Sequence, residues 1–280
     1  MTAKVRPARP EDRDAVVELL HTHMSATIPR ERWALLFDYP WHPSDAPDCG
    51  RVLEEGGRIV GYLGATYVDR EVGGCSVRIC NMSSWYLLRP YRGQGHGRAM
   101  ALDLTSDPDV TYTDLTATPQ VHAMLLAHAG FGILDEARWI LRRPPRGAPA
   151  IELTELTSPA PPLRDHVGLK DLRLLRADGP GGSFDFALQV KKKGADIPYH
   201  QLLWSDHPAF FARHAAGIAA ALLKDEASVL AIDRRFAPEA PDGAEIEPIA
   251  QPRLYKSRRL RPEQIDNLYN EVLLLDQKLP

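Results

Sequence analysis

The most informative segment of this 280-residue chain runs from Tyr86 to Arg98 and reads YLLRPYRGQGHGR. It sets three glycines at alternate positions, 93, 95 and 97, between a predicted strand over residues 76–88 and a predicted helix. Glycine has no Cβ, so its backbone can adopt a positive φ and approach a ligand closely. Successive N–H groups at a helix N-terminus, with Arg92 and Arg98 beside them, favour bound negative charge. The stretch therefore predicts a cradle for a pyrophosphate group.

Two common phosphate-binding motifs do not fit this stretch. A P-loop ends in Gly-Lys-Ser/Thr, whereas Gly97 is followed by Arg98 and Ala99. A dinucleotide fingerprint has the spacing G-x-G-x-x-G inside a parallel βαβ unit, whereas this spacing is G-x-G-x-G and hairpins precede it. A tight strand-to-helix turn is the remaining structural explanation, but one glycine would suffice for it.

Residues 92–97, RGQGHG, resemble the R/Q-x-x-G-x-G/A acyl-CoA motif of the GNAT superfamily of N-acetyltransferases. The resemblance covers about residues 3–143 and includes the Ala-Gly-Phe ending of a helix at 129–131. It implies an α/β fold with a mixed β-sheet flanked by helices. In that fold the strands that match residues 76–88 and 111–117 splay apart, and acyl-CoA binds in the opening.

Hydrophobic periodicity predicts the order β-α-α-β-β-β-α-β-α-β for the first half. Apolar residues at offsets 0, 3, 4 and 8 from Val16 mark the first helix, and Gly-Gly pairs at 56–57 and 73–74 mark two hairpin turns. The predicted strands cover residues 4–6, 51–55, 59–68, 76–88, 111–117 and 133–141; the predicted helices follow Pro10, cover 29–37, open after the glycines and cover 119–128.

By the resemblance, the glycine stretch binds the co-substrate acetyl-CoA or another acyl-CoA. Backbone amides of the loop would hold the pyrophosphate, and the amide of Leu88 or a neighbour would polarise the thioester carbonyl. The predicted acyl-CoA-binding residues are Leu87, Leu88, Arg92, Gly93, Gln94, Gly95, His96, Gly97 and Arg98.

The catalytic residues are less obvious, because the chain departs from the superfamily pattern. Leu126 stands where many members have a tyrosine that protonates the leaving thiolate. Asp114 is the predicted general base, and Tyr112 lies on the same face of its strand by alternation. Ser84 is predicted to order a water relay. An Asx turn is the structural alternative for Asp114, and Cys80 is expected to be a small buried hydrophobe rather than a nucleophile.

The predicted acceptor side carries aromatic and small polar residues. Trp33 and Trp41 would line it by the resemblance, and Asn81 and Ser83 lie where an amine would approach. Packing of the two tryptophans between helix and sheet is the structural alternative.

The composition is that of a soluble globular protein, with 44% hydrophobic and 25% charged residues. A net charge of −3 argues against a nucleic-acid partner, and no apolar run approaches the roughly 20 residues that span a bilayer. The N-terminus lacks the apolar core of a signal peptide. Three cysteines match no zinc spacing, so we expect no metal and a reducing, cytoplasmic setting.

Proline clusters at 144–149 and 159–162 predict a domain boundary near residue 145. We therefore expect a GNAT-like domain over 1–145 and a smaller α/β domain over 146–280, which is either a separate fold or a degenerate second GNAT-like unit. Predicted strands at 184–190 and 229–233 and helices at 209–223 and 262–277 support it, and no second G-x-G-x-G motif follows.

The expected function is N-acyl transfer, with acetyl as the expected group, from acyl-CoA to a small-molecule or peptide amine by direct attack in a ternary complex. A non-catalytic acyl-CoA sensor or scaffold is the main alternative, and an interaction module without a ligand is a second. The sequence leaves the acceptor, the acyl chain length and a possible homodimer open.

Overall fold

A computed structural model describes residues 2–144, 149–193 and 196–277. The chain divides into two compact units. Unit 1 comprises residues 1–134, 253–261 and 269–280, and unit 2 comprises residues 135–252 and 262–268. The predicted boundary near residue 145 lies outside the described residues, so the division into 1–145 and 146–280 remains a prediction.

The first half has the predicted order of elements, which the structure confirms from the first strand to the last. A 3-10 turn at Pro10–Asp12 precedes the first helix. Proline suits this position, because it has no backbone N–H and an N–H at a helix start would have no intrahelical partner. The bounds are β1 Lys4–Pro7, α1 Arg13–His23, α2 Arg30–Ala34, β2 Gly50–Glu55, β3 Arg58–Val72, β4 Cys75–Leu87, α3 His96–Leu104, β5 Val110–Asp114, α4 Pro119–His128 and β6 Gly132–Leu141.

The second half also contains the predicted strands and the helix near residue 209. Its bounds are β7 Glu152–Glu155, β8 Leu172–Gly179, β9 Gly182–Lys193, β10 Ile197–Ser205, α5 Pro208–Leu222, β11 Val229–Asp233, β12 Glu245–Lys256 and α6 Glu271–Leu274. No helix in the described ranges is long and apolar enough to cross a membrane.

In unit 1, antiparallel pairing joins β1 to β2, β2 to β3 and β3 to β4. β4 then pairs with β5 in parallel, and α3 is the crossover between them. Residues 254–256 of β12 pair antiparallel with β5. This mixed sheet is the fold class that the sequence predicts.

Two apolar clusters cover the two faces of this sheet. On one face Met100 and Leu104 of α3 and Leu125 of α4 pack against Cys80 and Met82 of β4. On the other face α1 and α2 pack against the sheet, and the cluster includes Val16, Leu20, Trp33, Tyr62 and Leu275. Both faces are therefore dry, and the site must lie where strands or helices end.

The helix predicted over 262–277 is wrong. The structure has a 3-10 turn at Pro262–Gln264 and the short α6 instead. The apolar residues have helical spacing, but Asn267, Asn270 and Glu271 between them are also at most 2% exposed. A segment buried on all sides has no polar face for an amphipathic helix, and Tyr269 adopts a φ of +56° that ends any helical run.

Unit 2 repeats the strand arrangement of unit 1. β8, β9 and β10 form an antiparallel meander, α5 crosses over, and β11 pairs in parallel with β10. Residues 138–141 of β6 pair antiparallel with β11. The smaller α/β unit is therefore GNAT-like in topology, but the junction from Ser205 to Pro208 has no glycine.

The opening past the β10–β11 pairing in unit 2 is filled by protein. Asn267 donates its backbone N–H to the carbonyl of Leu203 at 2.9 Å. Arg235, with a side chain 3% exposed, pairs with buried Asp135 and Asp233 and donates to Asn267 Oδ1 at 2.7 Å.

We predict that Arg235→Met destabilises the chain by about 3–5 kcal/mol, because it leaves two buried carboxylates without their cation. Urea unfolding of the full chain measures the change. Arg234→Met alters the exposed neighbouring arginine and should cost under about 1 kcal/mol. Equal costs for the two variants would show that the buried cluster does not stabilise unit 2.

Candidate active site

The site begins where β4 and β5 part. Their parallel pairing covers Arg78↔Val110 to Asn81↔Thr113, and β4 continues beyond it to Leu87. Strand backbone groups point alternately to either side, so the part of β4 beyond Asn81 has amides on the β5 side without a β5 partner. The pairing therefore ends well before β4 does, and β5 ends at Asp114, one residue after its last pair with β4; an acyl-CoA site between splayed strands remains a prediction.

A β-bulge bends β4 inside this opening. Ser84, with a φ of +48°, lies in the segment where the pairing with β3 shifts from Gly64↔Ser83 to Tyr62↔Tyr86. A bulge re-aims the strand and is a common device beside active sites. Ser84, which the sequence predicts to be catalytic, lies in this bulge and is 8% exposed.

The amide of Leu88 cannot polarise a carbonyl in the opening. Its N–H donates to the carbonyl of Val60 on β3 at 2.9 Å, and the expectation for this residue is corrected. Alternation turns the N–H of Leu87 to the other side. The carbonyl of Leu87 accepts from Arg92 Nε at 2.8 Å, which agrees with that orientation.

The glycine loop has the geometry of an anion cradle. Gly93 and Gly95 have φ angles of +75° and +84°, and a Cβ built on either would meet no protein atom within 4 Å. Gly95 is the N-cap of α3, and no side chain caps the helix. The first N–H groups of a helix have no intrahelical partner, so those of α3 need an acceptor from outside the helix. Gly97 has a different role, because a Cβ there would come within 3.5 Å of the Trp85 side chain.

Side chains of the loop fix its shape. The Arg92 guanidinium lies 4.9 Å from the centroid of the Tyr86 ring, and Gln94 donates to the carbonyl of Pro90 at 2.5 Å. His96 is the first residue of α3, with its ring 6.5 Å from that of Tyr91. Arg98 is exposed. Arg92 thus attaches the loop to β4, and Arg98 is an exposed cation beside it.

Asp114 ends β5 at the opening and is 6% exposed. Its Oδ1 accepts from the backbone N–H of Thr116 at 3.2 Å, which is the Asx turn that the sequence left open as an alternative. Burial raises the pKa of Asp114 to about 7, against the opposing effect of the N–H groups of Thr116 and Ala117. Asp114 therefore stabilises the turn after β5 and can also bind a proton near neutral pH.

The structure adds a carboxyl that the sequence reasoning missed. Glu271 of α6 donates its backbone N–H to Asn81 Oδ1 at 3.1 Å, and its Oε1 accepts from Thr116 Oγ1 at 2.9 Å. Burial, and then the charge of Asp114, raise the pKa of Glu271 to about 8, opposed by the hydrogen bond from Thr116. One polar residue inside an apolar run, between Asn270 and Val272, was the available signal.

Other predicted residues lie elsewhere in unit 1. Tyr112 is 1% exposed in the apolar core, and its hydroxyl hydrogen-bonds to the backbone of Asp107, before β5 begins. Tyr112 is therefore directed away from Asp114. Cys80 is fully buried, which raises the pKa of its thiol well above the usual range and makes a thiolate nucleophile unavailable at neutral pH.

The predicted acceptor residues divide into two groups. Trp33 is 1% exposed and donates its Nε1 to the carbonyl of Ser25, so it packs between helix and sheet. Trp41 packs edge-on against Tyr269 at 5.4 Å between ring centroids. Asn81 also donates to Thr113 Oγ1 at 3.1 Å, and buried Ser83 Oγ has no hydrogen-bond partner among the described residues. Asn81 and Ser83 thus lie at the opening.

Comparison with known proteins agrees with this geometry. Residues 13–106 match the model of the Acetyltransferase (GNAT) family, and this range contains the glycine loop and α3. The solved structure of a GCN5-related N-acetyltransferase from Anabaena variabilis matches with a TM-score of 0.61 at 11% identity, over 91% of this chain and 72% of that one. A probable N-acyltransferase from Enterococcus faecalis gives 0.59 at 10% identity, over 94% and 74%.

A third solved structure, Eis1 from Mycobacterium abscessus, matches with a TM-score of 0.54 at 12% identity, over 91% of this chain and 73% of that one. No curated protein matches the sequence. The likeness to solved structures therefore extends the fold over both units, while the family match rests on residues 13–106.

The raised pKa values predict how stability depends on pH. Asp114 and Glu271 bind protons more tightly in the folded chain than at their ordinary pKa values of 3.8 and 4.5, so their contribution declines as pH rises through about 7 and 8. Urea unfolding should give a free energy at least about 1 kcal/mol lower at pH 8.5 than at pH 5.5.

The variants Asp114→Asn and Glu271→Gln should each flatten this decline. Asp109→Asn changes a carboxyl with a side chain 81% exposed and should leave the slope unchanged. A wild-type free energy that stays level or rises over this pH range would contradict the burial of two proton-binding carboxyls.

Proposed function

We propose that this chain is an acyl-CoA-dependent N-acyltransferase that transfers an acyl group, with acetyl as the expected one, directly to an amine. The observation that supports the proposal most strongly is that the glycine loop and the unpaired part of β4 lie next to each other. An uncapped helix with two positive-φ glycines lies at the end of a strand whose far side has lost its partner strand. One feature suits a pyrophosphate and the other suits the extended chain of an acyl-thioester.

The residues present fit acyl-CoA. The space above Gly93 and Gly95 is empty of protein atoms, the loop is exposed, and Arg98 supplies positive charge. Amides of the loop would bind the pyrophosphate. The corresponding opening in unit 2 lacks these features, so we propose one acyl-CoA site, in unit 1.

The backbone of β4 would supply the main electrostatic effect. We assign the Leu87 N–H, directed away from β3, to the carbonyl oxygen of the thioester. A preorganised donor aimed at a developing oxyanion contributes about 2.7–4 kcal/mol to the rate. The leaving thiol has a pKa near that of cysteine, about 8.5, so it departs without much help from an acid. This accounts for a chain with Leu126, 37% exposed, at the position of the usual tyrosine.

The acceptor would be a small-molecule or peptide amine on the side of Asn81 and Ser83. A buried carboxyl at the end of β5 is proposed to take up its proton: the sequence predicts Asp114, which has a pKa of about 7, and Glu271 interacts with it. Ser84 remains the proposed site for an ordered water at the bulge. Trp33 has no part in this proposal, since it is enclosed in the core.

The second candidate function is acyl-CoA binding without turnover, and Leu126 is the observation that favours it. The two functions share the ligand and differ in the release of thiol. An enzyme releases free CoA faster when an amine is added, whereas a sensor does not.

We predict that Gly95→Ala lowers the affinity for CoA at least tenfold, because the new Cβ occupies the space assigned to the pyrophosphate. Isothermal titration calorimetry with CoA, and with ATP as a control ligand, measures the change. Gly57→Ala is the matched control, since Gly57 has a φ of +81° and the same open surroundings but lies in the β2–β3 turn. Both variants carry a similar backbone strain of about 1–2 kcal/mol.

Turnover is then measured as thiol release from acetyl-CoA with an aminoglycoside, an amino sugar, a peptide with a free N-terminus and a lysine-containing peptide. Equal CoA affinities for Gly95→Ala and wild type would refute the cradle. Tight CoA binding without amine-dependent thiol release would establish the sensor instead.

A further inference from the structure

Glu271 connects the two sides of the opening between β4 and β5. Its backbone N–H is bound by Asn81, the last residue of β4 that pairs with β5, and its carboxyl is bound by Thr116, which follows β5. Packing of the neighbouring residues fixes this position. Leu275 lies in the cluster of α1 and α2, and Arg32 of α2 donates to the carbonyl of Leu274 at 3.2 Å.

One oxygen of this carboxyl has nothing to bind in the described part of the chain. Glu271 Oε2 is buried without a hydrogen-bond partner, in a residue that is 2% exposed. Buried polar atoms are nearly always paired, and an unpaired carboxylate oxygen is especially costly. Ser83 Oγ, on the adjoining part of β4, is a second buried atom without a partner there. Two buried oxygen atoms without a partner among the described residues therefore belong to residues near the end of the β4–β5 pairing.

Asp114 is differently engaged. Its carboxyl accepts backbone N–H groups of Thr116 and Ala117, so part of its hydrogen-bonding capacity is used by the turn after β5. Of the two carboxyl groups, Glu271 is the one with a buried oxygen that has no hydrogen-bond partner among the described residues.

We propose that Glu271 binds the acceptor as an ammonium ion and removes its proton through Oε2, the carboxyl oxygen that has no hydrogen-bond partner among the described residues. The inference rests on the proposed acyl transfer and narrows its substrate class to amines that are cationic at neutral pH.

The proposed step balances as follows. The acceptor ammonium gives one proton to Glu271 Oε2, and the freed nitrogen lone pair forms the C–N bond at the thioester carbonyl carbon. The C–S bond breaks, and its electron pair leaves with the CoA thiolate. The nitrogen then loses a second proton, which the thiolate takes up, and Glu271 returns the first proton to solvent. No oxidant or further reactant is required.

The charged surroundings support this assignment. Burial and the charge of Asp114 raise the pKa of Glu271, and the Arg70 guanidinium lies 5.0 Å from the centroid of the ring of Tyr269, two residues before Glu271. A base with a pKa of about 8 is well matched to proton transfer near neutral pH. Two nearby carboxyls also titrate as a pair, so the rate profile reports both.

The test compares Glu271→Gln, Asp114→Asn and wild type in the full chain. CoA binding, measured by calorimetry, should be the same in all three. With the best amine of the panel above, Glu271→Gln should lower kcat about 100-fold and remove the acid limb of the pH profile. Asp114→Asn should keep that limb and move it to lower pH, because Glu271 loses a neighbouring negative charge.

Binding of the amine supplies a readout apart from activity. Calorimetry with the same amine on CoA-saturated protein should show affinity at least tenfold weaker for Glu271→Gln. Thr116→Val is a second variant that keeps the carboxylate and removes only the hydrogen bond to Oε1, so the acid limb should persist. Glu263→Gln, an exposed site on the same C-terminal segment, should leave rate and profile unchanged.

The outcomes separate the inference from the proposed function. If Asp114→Asn removes the acid limb while Glu271→Gln retains it, Asp114 is the base and the inference is overturned, while acyl transfer stands. Faster acylation of uncharged hydroxylamine than of any alkylammonium by wild type would also overturn it. Failure of wild type to bind CoA, or to acylate any amine of the panel, would overturn both.

Discussion

The end of the β4–β5 ladder at Asn81 and Thr113 is the constraint on which the rest of unit 1 depends. A parallel pair that stops inside a domain leaves backbone groups without partners, and buried groups of this kind must be satisfied by something. On the β4 side, alternation along the strand turns the amide of Leu87 away from β3. On the β5 side Asp114 turns back onto the N–H of Thr116. The glycine loop and the start of α3 then lie at the same end of β4, with further amides unpaired.

Unit 2 shows what the same strand arrangement becomes without that loop. Its β10 also continues past the pairing with β11, and its register with β9 also shifts, between Leu202 and Trp204. In unit 2, Asn267 donates its N–H to the carbonyl of Leu203, and Arg235 donates to Asn267. No glycine stands between Ser205 and α5. The two units therefore share a strand arrangement and differ in the residues that lie past the parallel pairing.

The fold of the first half could be predicted because its signals are local. Glycine pairs mark hairpins, proline marks helix starts, and the alternating glycines at 93–97 mark the loop, so the order of elements follows from residues near one another. The hydrogen bond of the Leu88 N–H could not be predicted, because its partner depends on the register between β4 and β3. The position of Trp33 in the core likewise depends on packing that no local pattern records.

The interaction between Asp114 and Glu271 could not be predicted from the sequence for a similar reason. Asp114 and Glu271 are separated by 157 positions in the chain, and their meeting depends on the C-terminal segment returning to unit 1. That segment has helical spacing of its apolar residues, which predicts a long helix and places Glu271 on a surface. Complete burial overrides this local preference, because every face of the segment has a protein neighbour and its polar residues bind strand ends instead.

A crystal structure of the chain with acetyl-CoA would show whether the end of β4 and the glycine loop form one acyl-CoA site. We expect the pyrophosphate at the N–H groups of residues 93–97, the thioester carbonyl at the Leu87 N–H, and the acetyl carbon on the side of Asn81 and Glu271. Acetyl-CoA bound at another surface, or with its thioester remote from Leu87 and Glu271, would contradict it.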